Sequence, residues 1–372
     1  MAAFLLLVPA PQQGEDLVCL GLRYLSRHRS ANGSWGQRSA TCTCPDEPER
    51  SKPPPDPELV PRLNTLIAEL DHDEFQRREQ AVKGLVELGM PAVPRLRETA
   101  EKGSPEAQWR ARMALRRISI LDTADDVEAT GMALVAFLGA GFSHLSREIY
   151  DGIAFGQVVK EGLQWLTGRM AEEGFFEGAT PAAQAWATLA LSEAYGMTAS
   201  QPLKEPAQRA VDYLASHPAA DARALLVQGM ALKSAEMSEL VFPKDAAERG
   251  VEALRLKRAA EPASIFNRAA VQLVQIFTFK SKPMLDLIGL PGLDPSRMEM
   301  ETVYVVGLAI FQADGPQGPA WKAFNEGEKG RILAAQNHLL GKCDRGSWSA
   351  AGTAQRLKTS ALATLSREIY YR

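Results

Sequence analysis

Two stretches far apart in this chain share one spacing of glycines, aromatics and leucine, and an internal repeat constrains a fold before any other feature does. Gly21, Tyr24, Leu25, Gly33 and Trp35 align without a gap on Gly162, Trp165, Leu166, Gly174 and Phe176. A looser third copy runs from Gly330 through Gln336 to Gly346 and Trp348, with extra residues ahead of its second glycine. Each copy reads as an amphipathic helix that buries one face. A polar turn containing glycine ends it, and the aromatic that follows folds back onto a neighbouring helix.

Between these helices lies a second kind, apolar nearly all round, at residues 130–141, 185–196, 225–237, 302–311 and 359–365. A helix apolar on every side is buried on every side. Alternation of the two kinds predicts an outer layer around an inner one, an all-α fold of the α/α toroid type. The abundance of Ala, Leu, Glu and Arg agrees with a nearly all-helical chain.

The string GLRYLSRHRSANGSWG resembles the recurring Gln-Trp motif of the squalene–hopene cyclase and protein prenyltransferase superfamily, whose members are α/α toroids. His28 and Met170 stand for the glutamine in the first two copies, and Gln336 keeps it in the third. The strings ALVAFLGAG, ATLALSEAYGMT, GMALKSAEM and ALATLSREIYYR are similar to uncharacterised bacterial terpenoid-cyclase-like toroid proteins. The resemblance covers residues 16–36 and 127–372. It implies a fold, and much less a function, because one fold hosts many activities.

The repeat pattern is interrupted once. Residues 1–14 are an apolar N-terminus, residues 15–36 the first repeat, and residues 37–57 a proline-rich linker expected to be extended. Residues 58–120 form helical stripes (Leu59, Leu63, Leu66, Ile67; Ala81, Leu85, Val86, Leu88; Ala111, Leu115, Ile118), with Pro91 and Pro105 placed to start helices. Two such antiparallel pairs resemble HEAT repeats, which bury their cores poorly alone. This small insertion is therefore expected to dock on the toroid or on another protein. Residues 127–372 carry the rest of the toroid.

Residues 2–8 are too short to span a membrane and resemble the core of a signal peptide without its basic leader, since the first basic residue is Arg23. An exported chain and a cytoplasmic one both stay open. No other segment is a transmembrane candidate. Cys19, Cys42, Cys44 and Cys343 permit disulfides if the chain is exported; free buried thiols are the other reading. A net charge of −3 carries no electrostatic footprint for nucleic acid.

Hopene cyclases protonate an alkene with an aspartic acid from an Asp-x-Asp-Asp motif, and this chain has none. Matching Thr130 to the threonine after the family motif sets Asp126-Val127-Glu128-Ala129 against it. Glu128 would then replace the acid, with Asp125 and Asp126 as weaker catalytic candidates. The competing reading makes all three simple caps at a helix N-terminus. Rings such as Phe137, Trp186, Tyr195, Tyr304 and Phe311 read as core fillers rather than a carbocation cage. The prenyltransferase zinc set of Asp, Cys and His cannot be mapped, and Cys42 and Cys44 are poor zinc spacing on their own. No cofactor and no metal site is assigned.

Three function classes stay open. The first, favoured by the missing motifs, is a non-catalytic toroid with a HEAT-like module for a protein partner. The second is an enzyme on isoprenoid substrates with Glu128 as a divergent acid. The third is a polysaccharide-acting toroid using residues 143–150. A deep apolar cavity, holding an apolar ligand, would favour the second, a polar groove the third and a filled ring the first.

Overall fold

The structure is a computed structural model that describes residues 16–30, 32–36, 59–88, 92–280, 294–338, 344–350 and 353–371 of the chain. In chain order its first five helices are α1 (Leu17–Arg27), α2 (Leu59–Glu69), α3 (Phe75–Leu88), α4 (Val93–Lys102) and α5 (Pro105–Gly139). A hairpin of β1 (Ile149–Tyr150) and β2 (Ile153–Ala154) precedes α6 (Phe155–Thr167), α7 (Pro181–Thr198), α8 (Gln201–Ser216) and α9 (Ala222–Met237). Then come α10 (Lys244–Ala260), α11 (Ile265–Phe279), α12 (Met300–Asp314), α13 (Pro319–Ala335) and α14 (Thr353–Arg367). The protein is mostly helical, and no helix among the described residues is long and apolar enough to cross a membrane.

Six helices pack in a closed circuit. α5 packs on α7, α7 on α9, α9 on α11, α11 on α12, α12 on α14, and α14 back on α5. α7 shows why they lie inside: Thr180 caps it, Pro181 starts it, and its residues from Ala182 to Leu191 are all buried. Amphipathic helices cover the circuit, with α1 on α14 and α5, α6 on α5, α8 on α7 and α9, α10 on α9 and α11, and α13 on α12.

The repeated turns explain how neighbouring units seat on one another. Trp35, Phe176 and Trp348 are all buried. Their backbone N–H groups donate to Thr130 Oγ1 of α5 (2.9 Å), Gln184 Oε1 of α7 (2.9 Å) and Ser360 Oγ of α14 (3.0 Å). The Trp35 indole donates to the Leu25 carbonyl of α1 at 2.7 Å, and the Trp348 indole to the Ile332 carbonyl of α13 at 3.0 Å. Gly33, Gly174 and Gly346 share a φ of 96°, 92° and 95°. A Cβ on them would fall 2.6 Å from the Glu161 carbonyl oxygen of α6, 2.1 Å from that of Arg209 on α8, and 2.0 Å from that of Leu20 on α1. The third turn thus rests on the first helix as the first turn rests on α6.

Gly21 and Gly162 complete the joint by receiving the incoming indole. A Cβ would lie 3.3 Å from the Trp348 ring at Gly21 and 2.9 Å from the Trp35 ring at Gly162. Gly330, the opening residue of the third copy, meets nothing within 4 Å and has no such role.

Backbone pairing corrects one alignment. Ser30 bonds Ser34, Ala171 bonds Phe175 and Asn337 bonds Ser347, at 2.8, 2.8 and 2.9 Å. That register puts Arg29, not His28, in line with Met170 and Gln336. Arg29 Nη1 donates to the Val158 carbonyl of α6 (3.4 Å), and Gln336 Nε2 to the Leu17 carbonyl of α1 (3.1 Å). His28 instead packs its ring on Tyr24, with centroids 4.2 Å apart and the planes tilted by 33°, and bonds the Tyr24 carbonyl through Nδ1 at 2.9 Å.

The same ring contact and bond recur in Tyr213 and His217, at 4.1 and 2.9 Å. They mark a further copy of the repeat in α8, unforeseen from the sequence, with Ala210 at the glycine position. Gln228 holds the Ala219 N–H at 3.1 Å as Gln184 holds that of Phe176, so an alanine stands where the other copies place an aromatic.

The inserted helices have their own core. Leu63, Leu70, Ala81, Val82, Leu85 and Ala111 are buried together across α2, α3 and the first half of α5, and Leu66, Ile67, Val86, Leu88 and Leu115 pack against them. Pro91, the side chain of Ile118 and the linker expected at 37–57 lie outside what the structure describes. α5 differs from expectation. Instead of a break between residues 120 and 127, one helix capped by Ser104 runs from the inserted core into the main one. No glycine occurs between its first residue and Gly131, and its only proline is Pro105 at its start, so nothing in that stretch stops a helix.

The hairpin was also missed. Asp151-Gly152 between Tyr150 and Ile153 is a two-residue turn with φ of 49° and 73°, the positive values that favour Asp-Gly. Asp151 ties it to α1, accepting from Arg23 Nε at 2.6 Å and Arg27 Nη2 at 3.1 Å. These two arginines hold its carboxyl below the usual aspartate range despite partial burial.

Candidate functional site

Glu128 lies in the interior of α5 rather than at a helix N-terminus, which overturns the capping reading for it and for Asp126. Both are buried. Asp126 lies directly beneath Gly36, where a Cβ would fall 1.6 Å from its Oδ1. The Asp125 side chain lies outside what the structure describes.

Glu128 sits in a cluster drawn from four helices. Lys358 Nζ of α14 approaches its Oε2 at 2.6 Å, and Arg223 Nη2 of α9 approaches its Oε1 at 2.6 Å. Arg223 Nε also meets Glu301 Oε1 of α12 at 2.5 Å. Burial raises the Glu301 carboxyl above its ordinary range, and Arg223 opposes the shift. Burial alone would lower the Arg223 guanidinium, but Glu301 and Glu128 carry it above its ordinary value. In the circuit α9 and α5 are separated by α7, and α9 and α12 by α11. Arg223 therefore reaches between helices that do not adjoin, and two acids and two bases compensate each other there.

The other end of the same helices is open. A cavity of about 950 Å³ is lined by Leu138 of α5, Leu189 of α7, Met230 of α9, Phe277 of α11, Leu308 of α12 and Arg367 at the end of α14. Every helix of the circuit contributes, and each brings residues of its C-terminal turn to the lining. Leu138 is ten residues beyond Glu128 on α5, about 15 Å of helix rise, and neither Glu128 nor Asp126 lines the cavity. The size falls within the range of small-molecule sites, and apolar walls are their usual lining.

The N-terminal end of α1 forms part of the mouth. Asp16 caps that helix, accepting from the Val18 N–H at 3.0 Å, and the Cys19 thiol donates to its other oxygen at 3.4 Å. Burial, reinforced by Asp16 and Glu368, pushes the Cys19 thiol up to about 12. Cys19 is free, and its burial favours the thiol over the more nucleophilic thiolate. Cys42, Cys44 and Cys343 lie outside the described residues.

The remaining sequence candidates do not line this cavity. His144 is half-buried and its pKa is lowered by burial and by Lys160, while Tyr150 packs on Phe155. Trp186 and Tyr304 are buried in the main core, and Phe311 stacks edge-on against Trp321. Among the described residues no three His, Cys, Asp or Glu side chains converge on a point where a metal would sit. No family model, curated protein or solved structure matches this chain.

One buried acid was invisible in the sequence. Glu328 of α13 is fully buried, and burial pushes its carboxyl from 4.5 up to about 8 against the pull of Arg367, Ser366 and Arg331. An acid whose folded pKa exceeds its unfolded one withdraws stability as pH rises between the two values. The protein should therefore lose stability from pH 4.5 to about 8 and level off above that. The full effect is bounded by about 5 kcal/mol at 1.36 kcal/mol per pKa unit. Urea titrations across that range should show the decline, and Glu328→Gln should flatten it; an unchanged slope in the variant would assign the decline to another group.

Proposed function

We propose that this chain is a non-catalytic α/α toroid, similar to the terpenoid cyclase and prenyltransferase superfamily, that holds an apolar ligand in its central cavity. The HEAT-like insertion serves as a docking module for a protein partner. The toroid reading rests on the closed circuit of helices and the repeated turns; the cavity lined from all six helices supplies the ligand site and by itself is shared with the isoprenoid-enzyme reading.

Two observations favour binding over catalysis. Glu128 has both carboxylate oxygens engaged, one by Arg223 and one by Lys358, each at 2.6 Å. It is also remote from the cavity, and the only cavity thiol among the described residues, Cys19, is kept protonated. The isoprenoid-enzyme reading keeps the cavity and lacks the acid. The polysaccharide reading gains nothing from residues 143–150, which do not line it.

The test is binding of a neutral apolar fluorophore, N-phenyl-1-naphthylamine. One saturable site is expected, and Met230→Trp, which fills the cavity, should weaken it by about tenfold, equivalent to 1.4 kcal/mol. Leu189→Trp provides a second filling variant, and circular dichroism checks that both fold. Absence of saturable binding, or binding indifferent to both variants, would contradict the proposal.

A further inference from the structure

We infer that the ligand of this cavity carries a positive charge: an amine or quaternary ammonium on an apolar body. The inference rests on the reading of the cavity as an apolar-ligand site and specifies its head group.

The first ground is the direction of the helices. α5, α7, α9, α11, α12 and α14 all bring their C-terminal turns to the cavity. The C-terminal end of a helix carries a partial charge of about −0.5 from its unsatisfied carbonyls, and the effect is felt within the last turn. Six such ends stand against the single N-terminal end of α1, which Asp16 caps, and the balance favours a cation over an anion.

The second ground is the side-chain charge. Asp16, Glu193 and Glu368 line the cavity, against Lys233 and Arg367. The same negative field acts on Cys19, where Asp16 and Glu368 add to burial in keeping the thiol protonated. Apolar walls lower the local dielectric and strengthen these terms. The third ground is the softness of the lining. Met197, Met230 and Met237 offer polarisable sulfur and Phe277 an aromatic ring, surfaces that suit an alkylammonium group.

The experiment compares three ligands with the same decyl chain as competitors of N-phenyl-1-naphthylamine. Decyltrimethylammonium should displace the probe at a concentration about tenfold below decanol, and decanoate should need more than decanol. Raising salt from about 50 to about 500 mM should narrow the spread, since the charge term is screened. Glu193→Gln should reduce the preference for the ammonium over decanol. If decanol displaces the probe but the ammonium is no better, or decanoate is better, the charge assignment is overturned and the apolar site stands. If decanol fails to displace it, the apolar site falls and this inference with it.

Discussion

Glu128→Ala is expected to destabilise the protein by about 3–5 kcal/mol, because it leaves Lys358 and Arg223 without their shared carboxylate inside the fold. Lys358 is 8% exposed, so water replaces the lost partner poorly. Arg223 keeps Glu301. The double variant Glu128→Leu with Lys358→Met removes both members of the most buried pair and should recover most of the loss, as apolar replacement of a buried ion pair often does. Urea midpoints of the single and double variants measure this. A single-variant cost below about 0.5 kcal/mol, the range of ordinary surface changes, would show that the cluster does not hold these helices together. A third variant bears on catalysis: neither squalene cyclisation nor prenyl transfer is expected from the wild type or from Glu128→Gln, and turnover lost in that variant would restore the enzyme reading.

Gly346→Ala should cost about 3 kcal/mol or more. Roughly 1–2 kcal/mol comes from the left-handed backbone, and the remainder from overlap with a neighbour that cannot rotate away. The added Cβ would meet the Leu20 carbonyl oxygen of α1 at 2.0 Å, and that oxygen belongs to helix backbone. Gly315 supplies the control. Its φ is 79°, but nothing lies within 4 Å of the position a Cβ would take. Gly315→Ala should lose only the backbone part, about 1–2 kcal/mol. Equal losses at the two positions would mean that the turn does not press on α1.

The joints were legible because their demands are local and severe. A bulky ring needs a gap to enter and a tight turn needs positive φ, so Gly21, Gly33, Gly162, Gly174, Trp35, Phe176 and Trp348 stand out in the sequence. The copy in α8 escaped because Ala210 and Ala219 replace the two most visible residues. Only the spacing of Tyr213, Leu214 and His217, shared with Tyr24, Leu25 and His28, would have disclosed it. The break expected in α5 came from ending the inserted stripes at Ile118 and starting the toroid resemblance at residue 127, but no proline, glycine or cap between them stops a helix.

Glu128 was singled out by analogy with an acid at a helix start. Its partners Arg223, Glu301 and Lys358 lie on three other helices with no shared spacing, and only the closure of the circuit gathers them. The cavity was equally hidden. Its residues are ordinary apolar side chains of six helices, and what sets Leu138 or Met230 apart is the empty space beside them.

The central claim is that the end of the chain closes on its beginning, and the most direct measurement is an NMR contact between the Trp348 ring and Gly21. In protein labelled selectively at tryptophan and glycine, the Trp348 ring protons should show nuclear Overhauser effects to the Gly21 α-protons, since a Cβ there would stand 3.3 Å from the ring. Trp35 should show the equivalent effects to Gly162. Effects from Trp348 confined to its own turn and α13, with none to Gly21, would contradict closure.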